Sequence, residues 1–273
     1  MHSRKNCVAK ARFDERHEVV SGVVFGRPEW VLSPAYWLAL TQRNHTQGDL
    51  FGLPRSLESE VCFCLLGGHG VTAEMNIAAF EWLEQHGILK STNLPTIAAI
   101  EELLRSPLSI RNRLIRYRFP RQRAERLVRA LVYLSATPAP LGSATELRQY
   151  LLAVDGIGPK TASWITRNWL GSDEVAIIDI HVERAGRIMG LFGRDWVLPR
   201  NYFDMEARFL EFAGALNVRA SQLDMTIWSE MRKMNLSSVV SELEEYPSGK
   251  RRRRIRRPKQ RVTKTAAQIK TAA

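Results

Sequence analysis

The 273-residue chain holds only three cysteines, no apolar run approaching the roughly eighteen residues a membrane span needs, and no acid after Glu245. Cys7, Cys62 and Cys64 cannot build a disulfide framework, and a lone Cys-x-Cys pair is too sparse for a metal site. Within VCFCLL the pair alternates with Phe63 in apolar company, so both read as small buried hydrophobes. The basic N-terminal residues are followed by no apolar stretch that could act as a secretory signal, and a cytoplasmic protein without a membrane segment is the expectation.

Charge is present but unevenly placed. From Ser248 onward stand eleven Lys or Arg and no acid, leaving 29 basic residues against 28 acidic ones before it, so nearly all of the net +12 belongs to residues 248–273. A like-charge block with little apolar content is expected to stay disordered and to seek a polyanion, nucleic acid above all, because each phosphate neutralised releases counterions. A localisation signal or non-specific RNA adhesion is the blander reading of the same tail.

Residues 1–55 form an N-terminal extension in which VVSGVV suggests a short extended piece before a helix. From Leu57 to about Val240 apolar residues recur every three or four positions through nine segments, separated by breaks that carry Gly or Pro. The expectation is an all-α fold of seven to nine helices and two lobes, with one domain over residues 56–247, the extension joining its helical lobe, and the basic tail beyond.

The most informative stretch is VDGIGPKTASWITRN, residues 154–168. Two amphipathic segments meet at a tight turn whose glycines, Gly156 and Gly158, are expected to supply positive φ, with Ile157 between them plugging the gap. The backbone N–H groups of the turn and of the helix that follows, Thr161 included, make a small anion site suited to a DNA phosphate. Arg121 and Arg123 in RFPRQRAERL, and Arg167 after the turn, either touch phosphates too or lie on solvated helix faces.

As L-x-x-x-x-G-I-G-P-K-T-A followed by a Gly-bearing stretch and Asp179, nineteen residues after Lys160, the segment resembles the helix-hairpin-helix DNA glycosylases. EVCFCLL (60–66), YRFPRQRAERLV (117–128), GIGPKTASWITRN (156–168), IIDIHVER (177–184) and LDMTIW (223–228) are similar, in order, to motifs of the archaeal and bacterial 8-oxoguanine DNA glycosylase/lyase branch. The resemblance implies a base-excising enzyme with associated lyase activity that acts, as a monomer, on double-stranded DNA containing a damaged or modified base. It implies no metal or cofactor, and no four-cysteine iron–sulfur cluster follows the aspartate. In a prokaryote such an enzyme would be nucleoid-associated.

The chemistry accounts for the residue types. Pro159 opens a helix and puts Lys160 in its first turn, where unpaired N–H groups disfavour a second cation. That end, with partial burial, favours a neutral amine able to attack the sugar and form a Schiff base; the alternative is a lysine stem along the turn with its ammonium on a phosphate. Asp179 supplies a fixed carboxylate for the positive charge that grows on the deoxyribose, or caps the helix that follows, or both. Around the extruded base, His69 in the GGHG loop is a gap filler or a plain loop residue. Trp228 lines the base pocket or belongs to the core, and Asp224 bonds the base or only backbone.

Two departures bear on substrate: the GGHG loop stands where the branch has an Asn-containing loop, and about forty residues follow LDMTIW, so a terminal carboxylate cannot help to read the base. The resemblance implies 8-oxoguanine as the substrate, and the departures open an alternative, a hypermodified base such as glucosylated hydroxymethylcytosine in phage DNA, hence antiviral defence, for which the glycines around His69 would make room. A third reading, a non-catalytic hairpin clamp, needs neither Lys160 nor Asp179.

Overall fold

The computed structural model describes residues 13–44, 56–68, 70–89 and 94–234. His69 and the basic tail lie outside the described residues. Ten α-helices occur among the described residues, against the seven to nine expected, with two short β-hairpins. The N-terminal extension holds the expected short extended piece, the hairpin β1 (Glu18–Val20) and β2 (Val23–Val24), and after it the expected helix, α1 (Pro34–Asn44). The nine periodic segments become α2 (Leu57–Leu66), α3 (Ala73–Gln85), α4 (Ile97–Arg105), α5 (Pro120–Ala136), α6 (Ala144–Leu152), α7 (Pro159–Leu170), α8 (Ile180–Ile188), α9 (Tyr202–Ala215) and α10 (Ala220–Met231). The expectation of near-continuous helix beyond Leu57 fails between α4 and α5. There β3 (Leu108–Ile110) and β4 (Arg113–Ile115) pair antiparallel across a two-residue loop, Arg111 and Asn112, both at positive φ.

Side-chain caps set many of the helix starts. Ser56, Thr72, Thr96 and Ser143 each accept from a backbone N–H in the first turn of α2, α3, α4 and α6. The apolar faces close into two cores. One gathers α2 to α7 with Leu108 of β3, around Leu65, Phe80, Leu104, Leu127 and Leu147. The other gathers β1, β2 and α1 with α8 to α10, around Trp37, Phe209, Phe212 and Ile227. The chain passes from the first core to the second between α7 and α8.

Residues of the N-terminal extension are thus interior to the second lobe, and Trp37 has 0% of its surface exposed. Replacing so large a side chain by alanine leaves a cavity that a helical lobe cannot close. Trp37→Ala is expected to cost about 3–5 kcal/mol, measured as the change in the urea midpoint of unfolding at an unchanged slope.

Candidate active site

The turn between α6 and α7 is shaped by one glycine. Gly156 has φ +89°, and a Cβ there would stand 2.8 Å from Cδ of Arg126 and 3.2 Å from Cδ2 of Leu65, so neither conformation nor space admits a side chain. Gly158 departs from expectation: its φ of −97° is ordinary extended backbone, and nothing lies within 4 Å of the Cβ it lacks. Its freedom is therefore open space over the helix end and not positive φ. Ile157 is buried in the first core, as a plug should be. Arg129 of α5 pairs with Asp155 at 2.9 Å, bracing the turn from the side.

Gly158 is the N-cap of α7 and offers no side chain to the first-turn N–H groups. Pro159 has no N–H, so Lys160 and Thr161 present the helix end outward, where an anion is favoured. Lys160 is exposed and Thr161 half-buried. The partial burial expected of Lys160 is not found, because the helix begins at the surface of the first lobe with its opening turn uncovered.

Between α7 and α8, Val175, Ala176, Ile177 and Ile178 are buried, yet they pair with no strand. A buried extended segment must still satisfy its backbone. Here side chains do so: Glu206 of α9 accepts from the Ala176 N–H at 3.0 Å, Asp224 of α10 from the Ile177 N–H at 3.0 Å, and the Tyr202 hydroxyl from the Ile178 N–H at 3.3 Å while donating to the Ala176 carbonyl at 2.9 Å. The same two carboxylates reach the first lobe. Glu206 accepts from the Ser163 hydroxyl at 3.0 Å and pairs with Arg148 of α6; Asp224 pairs with Arg167. Ser163 and Arg167 stand three and seven residues after Lys160, so one side of α7 carries all three. That side is fastened to the segment leading into Asp179.

Asp179 is 7% exposed and is the N-cap of α8. Its Oδ1 accepts from the N–H groups of His181 at 2.8 Å and Val182 at 2.9 Å, whereas no described donor bonds Oδ2.

The remaining candidates divide. Arg121 is exposed and pairs along α5 with Glu125 at 3.1 Å. Arg123 is 7% exposed, with its guanidinium over the Phe119 ring, so it does not face solvent as a phosphate contact or a solvated helix face would. Arg167 likewise lies in the interior, within the ion pair described above. Asp224 is buried with both oxygens engaged, Oδ1 by Arg167 and Oδ2 by backbone, which leaves the backbone reading and not the base-bonding one. Trp228 is 40% exposed, with the Arg232 guanidinium 4.3 Å from its ring centroid, so it is no core tryptophan. These roles were illegible because a charged residue at helical spacing reads the same whether its face meets solvent or a second lobe. Tyr202 and Glu206, which hold the segment before Asp179, were not anticipated; an acid inside the apolar period of DMEARFLEFAGAL was their one available signal. Of the cysteines, Cys62 is buried as expected and Cys64 half-buried.

Burial pushes the Asp224 carboxyl up to about 6; Arg167 and the Ile177 N–H pull it down, and the Asp179 charge adds to the rise. An acid whose folded value lies above its unfolded one binds its proton more tightly when folded, so its contribution to stability falls as pH rises from about 4 to about 6. The stability of the native protein relative to Asp224→Asn should therefore decline across that window and level off above it, read from thermal midpoints of the two proteins between pH 4 and 7.5.

The sequence model for 8-oxoguanine DNA glycosylase matches residues 52–218. The 8-oxoguanine DNA glycosylase/AP lyase of Methanocaldococcus jannaschii is 31% identical over 179 residues, 62% of this chain and 77% of that one. That of Metallosphaera sedula is 30% identical over 123 residues, 41% of this chain and 57% of its own. Among solved structures, the 8-oxoguanine DNA glycosylase of Thermotoga maritima aligns with a TM-score of 0.48 at 26% identity, covering 71% of this chain and 86% of that one. The matched stretch takes in α2 to α9, and with them the uncapped turn bearing Lys160 and the cap made by Asp179; the chain belongs to the 8-oxoguanine DNA glycosylase family.

Proposed function

We propose that the protein is a DNA glycosylase with associated AP lyase activity, that its substrate is 8-oxoguanine in double-stranded DNA, and that Lys160 and Asp179 carry the chemistry. The observation that carries the assignment is the fastening of the Lys160 side of α7, through Ser163 and Arg167, to the segment that ends in Asp179. A passive clamp would need the hairpin alone.

The target nucleotide leaves the stack, and the phosphate beside it settles on the N–H groups of the uncapped α7 end. A lone pair on the Lys160 Nζ, available once the amine has given up a proton, forms a bond to C1′ as the N-glycosidic bond breaks, its electron pair leaving with the base. Positive charge grows on the sugar during this step, and Asp179 stabilises it; a carboxylate in a water-poor site is worth several kcal/mol there. Ring opening turns the adduct into an imine. Loss of a proton from C2′ then expels the 3′ phosphate and nicks the strand. Trp228, half-exposed on α10, is suited to stack on the extruded base. The chain acts as a monomer in this scheme, since each group named comes from one copy.

Lys160→Gln is expected to abolish borohydride trapping on DNA with an abasic site, because no imine forms to be reduced. Asp179→Asn separates the two duties of that residue, since asparagine caps a helix about as well as aspartate. It should slow base release by about 100-fold or more with little change in thermal midpoint. A duplex panel carrying 8-oxoguanine, uracil, alkylated purines and glucosylated hydroxymethylcytosine, scored for released base, tests the substrate; release from the glucosylated duplex and not from 8-oxoguanine would replace the assignment.

A further inference from the structure

The β3–β4 hairpin is built unevenly. Leu108 of β3 is in the first core and Ile110 packs against it, but every residue from Arg111 to Arg116 is exposed. The register pairs Ile110 with Arg113 and Leu108 with Ile115, which puts these four side chains on one face of the ribbon. That face and the first turn of α3 enclose a cleft of about 570 Å³, lined also by Arg111, Arg116 and Arg118.

The cleft is strongly basic. Arg111 pairs with Glu74 of α3 at 2.7 Å, but none of the described acids pairs with Arg113, Arg116 or Arg118. Four guanidinium groups against one carboxylate leave a surplus of three positive charges around one groove. Carrying that surplus bare is costly for the folded protein unless a polyanion shares it. The tip adds a second cost: Arg111 and Asn112 occupy left-handed backbone at φ 49° and 61°, conformations that residues other than glycine adopt at some expense. What the two costs maintain is a two-residue turn that places Arg113 in the cleft.

The position of the cleft names the polyanion. Gly70 is part of its lining, and a Cβ on Gly70 would stand 2.6 Å from Nη1 of Arg118; a Cβ on Gly68 would stand 3.5 Å from Nη2 of Arg123. The cleft therefore runs directly into the loop after α2, whose other end lies beside the interior guanidinium of Arg123. Leu114, on the opposite face of the ribbon, is 75% exposed, an apolar group of the kind that lies against deoxyribose in a DNA groove.

We infer that the β3–β4 hairpin is a second DNA-binding element, in which Arg113, Arg116 and Arg118 hold backbone phosphates of the duplex away from the nucleotide gripped by the α6–α7 turn. It rests on the glycosylase reading only in taking the bound duplex to be the substrate. Contacts of this kind position the duplex without reading its sequence. Glu74, which offsets Arg111 at the cleft wall, sets the charge the groove presents.

The test uses the full chain and a duplex carrying an uncleavable abasic-site analogue, with affinity measured by fluorescence anisotropy over a salt series. The double variant Arg113→Gln/Arg116→Gln is expected to flatten the slope of log K against log salt by about 2, roughly one unit for each phosphate left without its arginine. Glu74→Gln, which adds no charge to an interior and leaves every arginine in place, is expected to tighten binding and steepen the slope. A double variant that keeps the native slope overturns the inference. Base release and borohydride trapping by the unaltered protein are scored in parallel; their absence would remove the glycosylase reading while the slopes still decide whether the hairpin binds DNA.

Discussion

Two interior carboxylates, Glu206 and Asp224, hold the architecture of this site. The chain between α7 and α8 is extended and buried without a sheet to complete its hydrogen bonds, and these carboxylates accept two of its N–H groups directly. Each then takes an arginine from the first lobe, Arg148 or Arg167, so the contacts that satisfy the segment also join the lobes. Buried ion pairs recover little net stability after desolvation, and their value lies more in fixing one arrangement. Here the arrangement in question is the placement of the chain that delivers Asp179, relative to the helix whose first turn carries Lys160. Replacing both pairs by apolar side chains would remove the ion pairs at little cost but leave the buried Ala176 and Ile177 N–H groups without acceptors, which is costly, and the register of the segment unspecified.

The two helix starts that follow from this arrangement are treated in opposite ways. α8 begins on Asp179, whose Oδ1 takes two backbone N–H groups, so its positive end is closed by a carboxylate of the protein itself. α7 begins on Gly158 with no side-chain cap, so its positive end is left for an anion from outside. A carboxylate inside and an open anion site outside suit the proposed reaction on a deoxyribose, which calls for charge to meet the sugar and a grip on the backbone that carries it. The capping of Asp179 also orients its carboxylate, since two hydrogen bonds to one oxygen leave the group little freedom.

The legibility of these features in the sequence followed their range. Helices α2 to α10 were visible because each shows its apolar face within a few turns, and the hairpin because G-x-G-P punctuates two such faces. The β3–β4 ribbon was not, since its turn is Arg-Asn in place of the Asn-Gly or Asp-Gly that would have marked it, and its second strand buries nothing. Asp224 and Arg167 could be seen as charges but not as partners. Nothing in fifty-seven positions of separation says that two helices from different lobes will meet. The amine and the cap were visible as candidates from their motifs and the family these resemble, whereas the exposure of Lys160 depends on how the lobes leave the start of α7 uncovered.

The family match ends at residue 218, before α10, and begins at residue 52, after α1. Those two helices nevertheless contact each other and share the second core, with Trp37 and Ile227 both fully buried in it. α10 carries Asp224, which holds Ile177, and Trp228, which faces out beside it. Residues 13–44 therefore bear on the site without touching it: they supply the surface against which α10 is seated, and the seat of α10 decides where Asp224 meets the segment before Asp179. A helix with only α8 and α9 beside it would bury less apolar area on its α1 side, and the loss would appear first as freedom in α10. The extension is in this sense part of the scaffold of the site, since an Asp224 that shifts with its helix takes with it the backbone that presents Asp179.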